Sequence, residues 1–182
     1  MRNKINKVRI IGGEWRRRLL KFPDAPGLRP TPDRVRETLF NWLGQDLTGK
    51  ACLDLFAGSG VLGFEAASRH AAHVVMVESN PTVLHALQES REILAAHNVE
   101  LVRGDALDFL RGDAAQYDVV FLDPPYASAY GLQALALLSP RLYEGALVYL
   151  ESGAEPSLPA GWTVWRYTQA GKVHSQLLQY AP

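Results

Sequence analysis

The segment Asp123-Pro124-Pro125-Tyr126 has the clearest chemical meaning in the chain, and it directly follows the apolar run Val119–Leu122. The apolar run predicts a buried strand that would deliver Asp123 at its carboxyl end. Proline has a fixed φ and no N–H, so the segment is rigid and its carbonyl oxygens are free to accept hydrogen bonds. A carboxylate and a neighbouring carbonyl can together accept both hydrogens of one exocyclic NH2 group, while the tyrosine ring can stack on a base.

This arrangement suits the methylation of an aromatic amine. The lone pair of such a nitrogen is delocalised into the ring, and holding its two hydrogens on Asp123 and the Pro124 carbonyl favours a more pyramidal, nucleophilic nitrogen. Most of the acceleration would come from positioning, and the target base must be unpaired or flipped out of a helix. The alternative is an ordinary turn after a strand. We predict that the catalytic residues are Asp123, Pro124 and Tyr126, with no metal ion.

A second group of candidate residues begins at the glycine-rich turn Leu53–Gly60, between a predicted strand and a helix that starts at Val61. Open α/β sheets bind ligands at the carboxyl ends of their strands, and glycines let a ligand approach the backbone there. Glu78 follows Gly58 by 20 residues and ends the second predicted strand, where it can accept hydrogen bonds from ribose hydroxyls. Asp105 ends the third strand and suits an adenine amino group.

Two cofactor classes compete for this pattern. Gly58–Gly63 fits the G-x-G-x-x-G fingerprint of nicotinamide dinucleotide enzymes. Asp54, however, precedes the turn, where a carboxylate would repel a pyrophosphate but suit an ammonium group. S-adenosylmethionine has an ammonium, a ribose and no phosphate, so three acids at successive strand ends favour it. The structural alternatives are that the glycines close a turn, and that Glu78 and Asp105 cap the helices that follow.

Strand and helix candidates alternate from residue 51 onward, which predicts an α/β fold with βαβ units and a mostly parallel sheet covered on both faces. The last two strands have no comparable helix between them, so we expect an antiparallel terminal hairpin. The length and the hydrophobic fraction of 47% fit one domain over residues 1–182. The predicted strands are Ala51–Leu55, Val74–Glu78, Val99–Arg103, Val119–Leu122, Leu147–Glu151, Trp162–Tyr167 and Gln176–Tyr180, and the predicted helices are Val61–Arg69, Thr82–His97 and Tyr130–Leu138.

The first fifty residues follow a different pattern. Val8–Ile11 and Glu14–Phe22 predict two short strands of a basic β-hairpin extension over residues 1–28. Residues 29–50 form a leading helix segment, in which Thr31 would cap a helix that runs through Leu43. Spacing along this helix predicts a buried face formed by Val35, Leu39 and Trp42.

Charge divides the chain at the same place. The chain has 19 basic and 19 acidic residues, but residues 1–50 carry a net charge of +7 and residues 51–182 carry −7. Such asymmetry points to a phosphate-rich partner that docks on one face, with a solvated basic tail as the alternative.

The remaining composition excludes several classes of protein. Cys52 is the only cysteine, so the chain has no intramolecular disulfide and no thiolate cluster for zinc. The five histidines show no ligand spacing, so we expect no metal site. No apolar run approaches the roughly 18 residues of a membrane span. We therefore expect a cytoplasmic protein that binds neither a membrane nor a metal.

The candidate residues together resemble a known class of enzyme. The residues that resemble the class I S-adenosylmethionine-dependent methyltransferases acting on nucleobase amines are Asp54–Gly60, Glu78, Asp105 and Asp123–Tyr126. The segments that further resemble the bacterial RsmD family, the 16S ribosomal RNA guanine-N2 methyltransferases, are Arg9–Gly13, Arg29–Leu43 and Leu53–Gly60. The resemblance covers nearly the whole chain. It implies a Rossmann-like class I methyltransferase fold with seven strands, and methyl transfer to guanine N2 at position 966 of that RNA.

The resemblance also implies the cofactor, the partner and the cofactor site. The cofactor would be S-adenosyl-L-methionine, and the partner 16S rRNA, naked or in a partly assembled small ribosomal subunit, with the protein a monomer. The family often has Phe where this chain has Tyr126, a change that preserves stacking, and Arg29–Glu37 would close over the cofactor. The implied cofactor-binding residues are Asp54, Phe56, Gly58, Gly60, Glu78, Ser79, Asp105 and Ala106.

With an RNA partner implied, the basic N-terminal segment, residues 1–50, becomes a candidate RNA-binding surface. Arginine and lysine neutralise phosphates, and an exposed Trp15 can stack on a base. The alternative is a charged edge strand that avoids aggregation, and Arg34 and Arg36 can equally form the solvated face of their helix. The predicted RNA-binding residues are Trp15, Arg16, Arg17, Arg18, Lys21 and Arg34.

Three other functions fit part of the pattern. A DNA adenine-N6 methyltransferase shares the Asp-Pro-Pro-Tyr chemistry, but one compact domain leaves little chain for a sequence-reading module. A nicotinamide-dependent oxidoreductase explains the glycine fingerprint and gives Asp123–Tyr126 no role. A non-catalytic RNA-binding module leaves the acids at the strand ends without a purpose.

Overall fold

The computed structural model describes residues 5–112, 114–125 and 129–181. The strands are β1 (Ile5–Arg9), β2 (Leu19–Pro23), β3 (Ala51–Asp54), β4 (His73–Glu78), β5 (Val99–Arg103), β6 (Tyr117–Leu122), β7 (Leu142–Ser152), β8 (Trp162–Ala170) and β9 (Val173–Tyr180). The helices are α1 (Asp33–Leu43), α2 (Val61–Ser68), α3 (Pro81–Ile93), α4 (Ala106–Gly112) and α5 (Tyr130–Leu138), and a short 3-10 turn covers Ser139–Arg141.

Strands β3 to β9 form one seven-stranded sheet in the spatial order β5-β4-β3-β6-β7-β9-β8. Strands β3 to β7 pair in parallel, and β9 lies antiparallel between β7 and β8. This confirms the predicted Rossmann-like fold with its antiparallel terminal hairpin. The strand order reverses between β3 and β6, and a crevice at the carboxyl ends of the strands is expected at such a switch point.

Apolar side chains cover the sheet on both faces because successive residues of a strand point to opposite sides. In β6, Val119 and Phe121 join the layer that packs with α1, α2 and α3, while Val120 and Leu122 join the layer that packs with α4 and α5. All four side chains are buried. The continuous apolar run is therefore a strand at the centre of the sheet, as the sequence predicted.

The N-terminal hairpin differs from the prediction in its strand bounds. Strand β1 begins and ends earlier than predicted, and β2 is shorter and begins only at Leu19. Residues 10–18 between them pack against the end of α2. The Trp15 N–H donates to Ser68 Oγ at 2.9 Å, and the Trp15 side chain is only 8% exposed. A Cβ on Gly13, whose φ is +74°, would lie 2.0 Å from the Ser68 carbonyl oxygen, so this approach requires glycine. The expectation of an exposed Trp15 is wrong, because the ring completes the core beneath the hairpin.

Helix α1 also differs in the way it is capped and in the face it buries. Its N-cap is Pro32, and no side chain makes a capping hydrogen bond, so the prediction that Thr31 caps the helix is wrong. The predicted buried face is correct for Leu39 only. The buried residues are Arg36, Leu39 and Phe40, whereas Val35 and Trp42 are half-buried.

The buried side chain of Arg36 pairs with Glu65 of α2. Arg36 Nη1 donates to Glu65 Oε1 at 2.6 Å, and Arg69 donates to the other carboxylate oxygen. The Ile11 N–H donates to the same carboxylate at 2.7 Å, and Arg36 Nη1 also donates to the Arg9 carbonyl at 2.8 Å. The suggestion that Arg36 lies on a solvated face is therefore wrong. Glu65 links the hairpin, α1 and α2 at one point inside the protein.

Replacing Glu65 by Ala should lower the free energy of unfolding by about 3–5 kcal/mol, because buried Arg69 loses its carboxylate partner and buried Arg36 keeps only the partly exposed Asp33. Urea denaturation measures this change. Glu89→Ala is the control, since Glu89 is exposed on α3 and its removal should cost no more than about 0.5 kcal/mol. A Glu65→Ala protein as stable as the control variant would contradict the central role of this carboxylate.

Candidate functional site

A cleft of about 350 Å³ opens at the carboxyl ends of β3 to β7. Parallel strands bring their ends to one edge of the sheet, so residues that are distant in sequence meet there. The predicted catalytic and cofactor-binding residues that line it are Asp54, Phe56, Gly58, Glu78, Ser79, Asp105, Ala106, Asp123 and Pro124. Gly60 lies behind the turn as the N-cap of α2, and Tyr126 lies outside the described residues.

Asp54 is buried at the end of β3. Its Oδ2 atom accepts a hydrogen bond from the Gly63 N–H at 3.0 Å. Burial raises the pKa of Asp54 to about 7, the nearby Glu78 carboxylate raises it further, and the Gly63 hydrogen bond opposes both effects. A buried carboxyl group of this kind favours a ligand with a positive charge, because the cation stabilises the ionised form of the carboxyl.

The glycine turn is tied to the end of β4 through Glu78. Glu78 Oε2 accepts from the Gly58 N–H at 3.0 Å, and Oε1 accepts from the Asn80 N–H at 2.8 Å. Gly58 has a φ of +54°, and a Cβ there would lie 2.9 Å from the Leu28 side chain. Asn80, rather than Glu78, caps α3. Glu78 thus holds the turn in shape and still presents lone pairs to the cleft.

Asp105 combines its place in the cleft with a capping role. Its Oδ1 atom accepts from the N–H groups of Leu107 and Asp108 at 2.9 and 3.1 Å, at the start of α4. The structural alternative for Asp105 is therefore observed. The residue also lines the cleft, and Ala106 beside it is buried.

Asp123 follows β6 and is half-buried on the opposite side of the cleft from Glu78. Its Oδ2 atom accepts a hydrogen bond from the Thr31 hydroxyl at 3.1 Å. Burial raises the pKa of Asp123 well above its usual value, the Glu151 carboxylate raises it further, and Thr31 opposes these effects. Asp123 therefore binds a proton more tightly than an exposed carboxylate does.

Thr31 belongs to a strap, residues 25–32, that connects the hairpin to α1 and lines the cleft. The Thr31 carbonyl accepts from Arg36 Nε at 2.9 Å, so the buried pair with Glu65 also fixes the strap. Leu28 packs against Gly58. The strap therefore contacts both the glycine turn and Asp123. The sequence contained no signal that distinguished this role of Thr31 from helix capping.

Glu151, near the end of β7, is the acid that the sequence reasoning missed. Its side chain is buried and lines the cleft. Glu151 Oε2 accepts from the Tyr149 hydroxyl at 2.9 Å, and burial raises the pKa of Glu151. The signal was available, because the predicted strand Leu147–Glu151 ends on an acid just as the second strand ends on Glu78.

None of the predicted RNA-binding residues lines the cleft. Arg16, Arg17, Lys21 and Arg34 are exposed, and so is Arg18, which donates to the Ile93 carbonyl at 3.3 Å. Trp15 is buried and does not offer its ring for stacking. The remaining five residues are exposed cations outside the cleft and stay candidates for RNA binding.

Neither a cluster of metal ligands nor a reactive thiol is found in the described ranges. No group of three or more His, Cys, Asp or Glu side chains in them could hold a metal ion. Burial raises the pKa of the Cys52 thiol to about 12, so it does not form a nucleophilic thiolate at neutral pH. None of the described helices is long and apolar enough to cross a bilayer.

The carboxylates that line the cleft fit a cationic nucleoside better than a dinucleotide. A pyrophosphate would bind at the N-terminus of α2, with glycine N–H groups as donors. The Asp54 carboxylate already accepts from Gly63 there, and its charge would repel a phosphate. Asp54 and Glu78 suit an ammonium and ribose hydroxyls instead, while Phe56 and Val77 supply an apolar wall.

Comparison with known proteins agrees with this geometry. Residues 8–179 match the family model described as Conserved hypothetical protein 95. Ribosomal RNA small subunit methyltransferase D from Escherichia coli strain K12 is 44% identical over 178 residues, or 95% of this chain and 90% of the relative. The protein of the same name from Haemophilus influenzae is 42% identical over 185 residues, or 97% of this chain and 96% of the relative.

The chain is also similar to solved structures of methyltransferases. The putative methyltransferase yhhF from Escherichia coli has a TM-score of 0.87 and 43% identity, over 96% of this chain and 98% of that one. An RNA methyltransferase from Salinibacter ruber, solved with S-adenosyl-L-homocysteine, has a TM-score of 0.63 and 24% identity, over 82% of this chain and 92% of that one, and shares the fold. The chain therefore belongs to the family of ribosomal RNA small subunit methyltransferase D, and it is a methyltransferase.

Proposed function

We propose that this methyltransferase moves a methyl group from S-adenosyl-L-methionine to the exocyclic N2 amine of a guanine in 16S rRNA. The observation that carries the proposal is that one cleft holds both halves of the site. Asp54 and Glu78, the proposed cofactor ligands, line the same cleft as Asp123 and Pro124, the proposed acceptors of the amine. The rRNA substrate follows the name of the relatives, and the guanine N2 target follows the resemblance to the RsmD family.

The cofactor side holds a nucleoside with a charged amino-acid tail. Asp54 is placed to pair with the ammonium, Glu78 to accept from the ribose hydroxyls, and Asp105 to accept from the adenine amino group. S-adenosyl-L-methionine, when bound, supplies a methyl group on a positively charged sulfur. Gly58 keeps the backbone open beside it, and Leu28 of the strap covers the turn.

The amine side holds the target nitrogen by its hydrogens. Asp123 and the Pro124 carbonyl accept the two N–H groups, and Thr31 keeps the Asp123 carboxylate in one orientation. The nitrogen must lose one proton in the course of the reaction. Asp123 is suited to accept it, because its raised pKa increases its affinity for a proton. Tyr126, next to Pro125 in the sequence, is the proposed stacking partner of the base.

The exposed cations of the N-terminal segment are proposed to bind the RNA around the target. The exposed cations proposed for this role are Arg16, Arg17, Arg18, Lys21 and Arg34. They would neutralise phosphates while the target base enters the cleft. We further propose that the chain is a single-domain monomer that works in the cytoplasm on 16S rRNA, naked or in a partly assembled small subunit.

Replacing Asp123 by Ala should reduce methyl transfer by at least about 100-fold, because the amine loses an acceptor that positions it. The affinity for S-adenosyl-L-homocysteine should change less than about threefold, since the cofactor is held on the other side of the cleft. Tritium transfer to rRNA and calorimetry measure the two effects. Asp108→Ala is the control, because Asp108 is exposed on α4 and does not line the cleft. Full activity of the Asp123→Ala protein would exclude Asp123 as the amine acceptor.

Binding of S-adenosyl-L-homocysteine should strengthen as the pH rises through about 7. The ligand ammonium favours the ionised form of Asp54, which is the minor form below its pKa of about 7. The dissociation constant should therefore fall by up to about tenfold per pH unit below 7 and level off above it. Calorimetry between pH 5.5 and 8.5 tests this, with Asp54→Asn as the comparison. A slope that persists in Asp54→Asn would assign the titration to another group.

Replacing both Arg16 and Arg17 by Gln should weaken RNA binding and reduce its salt dependence. Two lost contacts to single-stranded RNA lower the slope of log K against log salt by about 1.4. Filter binding at several salt concentrations measures the slope. The control removes two exposed cations elsewhere, through Arg111→Gln and Lys172→Gln. If the two double variants had equal slopes of log K against log salt, Arg16 and Arg17 would be only part of a solvated surface.

A further inference from the structure

Glu151 occupies a defined place beside the proposed amine acceptor. Strands β6 and β7 pair in parallel, with Phe121 opposite Tyr149 and Leu122 opposite Leu150. The next position in this register places Asp123 beside Glu151, on strands about 4.8 Å apart. Both residues line the cleft. Two carboxylates from adjacent strands therefore face the space where the target base would enter.

The orientation of Glu151 is held by its neighbours. Its side chain is 6% exposed, and Oε2 accepts from the Tyr149 hydroxyl, which also contacts Ser175 Oγ at 3.2 Å. Within the ranges that the structure describes, Glu151 Oε1 has no hydrogen-bond partner. Glu151 Oε2 is thus held by Tyr149 of β7, which itself contacts Ser175 of β9. Glu151 Oε1 can accept a hydrogen bond from a ligand in the cleft.

The chemistry of guanine supplies such a donor. Guanine presents an N1–H group directly beside its N2 amine, whereas adenine presents a lone pair at N1 beside its N6 amine. We propose that Glu151 accepts the N1–H of the guanine whose N2 amine is held by Asp123 and Pro124, and that it thereby makes the enzyme select guanine. This inference rests on the proposed function, since it assumes that a guanine N2 amine is the methyl acceptor.

The proximity of the two acids agrees with this assignment. The Glu151 carboxylate raises the pKa of Asp123, and burial raises the pKa of Glu151 itself. Both ionised forms are therefore disfavoured in the empty cleft. A guanine brings N–H donors that stabilise the ionised forms of both carboxylates, while a base with a lone pair at N1 leaves an ionised Glu151 opposite another acceptor. Buried polar groups left unpaired in this way are the strongest basis for rejecting a close analogue.

The test compares guanine with 2-aminopurine at the target position of the RNA substrate. 2-Aminopurine keeps the exocyclic amine at C2 and has a lone pair at N1. The wild-type enzyme should prefer guanine by at least about 100-fold in kcat/KM. Glu151→Gln should narrow this preference at least tenfold, because the amide oxygen can keep the Tyr149 hydrogen bond while the NH2 group donates to N1 of 2-aminopurine. Glu144→Gln, an exposed position on the same strand, should leave the preference unchanged.

The preference is a ratio, so a general loss of stability or activity does not move it. Tyr149→Phe provides a second variant, because losing the hydroxyl that orients Glu151 should also narrow the ratio. Equal methylation of both bases by the wild-type enzyme would overturn the inference, and so would an unchanged ratio in both variants. Failure of the wild-type enzyme to methylate the guanine substrate would instead contradict the proposed function.

Discussion

The buried pairing of Glu65 with Arg36 and Arg69 is the interaction on which the arrangement of the site depends. A buried ion pair offsets its desolvation only when the remaining donors are also satisfied. Here the Arg36 guanidinium also reaches the carbonyls of Arg9 and Thr31. This network fixes the hairpin and the strap on the sheet. It also places the Thr31 hydroxyl on Asp123, so a charge cluster outside the cleft holds a group inside it.

The cleft itself is organised by acids that the fold keeps in an unfavourable environment. Asp54, Asp123 and Glu151 all have raised pKa values, chiefly because burial disfavours their charged forms. Such sites favour ligands that carry a positive charge or N–H donors, because these groups stabilise the ionised carboxylates. The net charge of the chain is zero because two segments of opposite charge cancel. Residues 1–50 are basic and are proposed to bind RNA, whereas residues 51–182 are acidic and contain most of the residues that line the cleft.

The parallel sheet and most of the cleft could be predicted from the sequence, because both depend on local patterns. Apolar runs such as Val119–Leu122 form strands wherever the chain can bury them on both faces. The residue after each run then lies at the edge where ligands bind. This rule placed Asp54, Glu78 and Asp123 in one cleft before their contacts were known. The same rule would have found Glu151, had it been applied to β7.

The parts that could not be predicted depend on contacts between distant segments. Trp15 lies in an arginine-rich stretch, which predicts an exposed side chain. In the structure, Ser68 accepts a hydrogen bond from the Trp15 backbone N–H, and the Trp15 ring is buried in the core. Arg36 has no local sign of burial, because Glu65, the buried carboxylate that it pairs with, lies 29 residues away on α2. The sequence by itself determined the strands of the seven-stranded sheet, the glycine turn and the acids at the strand ends. Only the tertiary structure decided which charges are buried together and which side chains reach Asp123, since those choices depend on how separate elements pack.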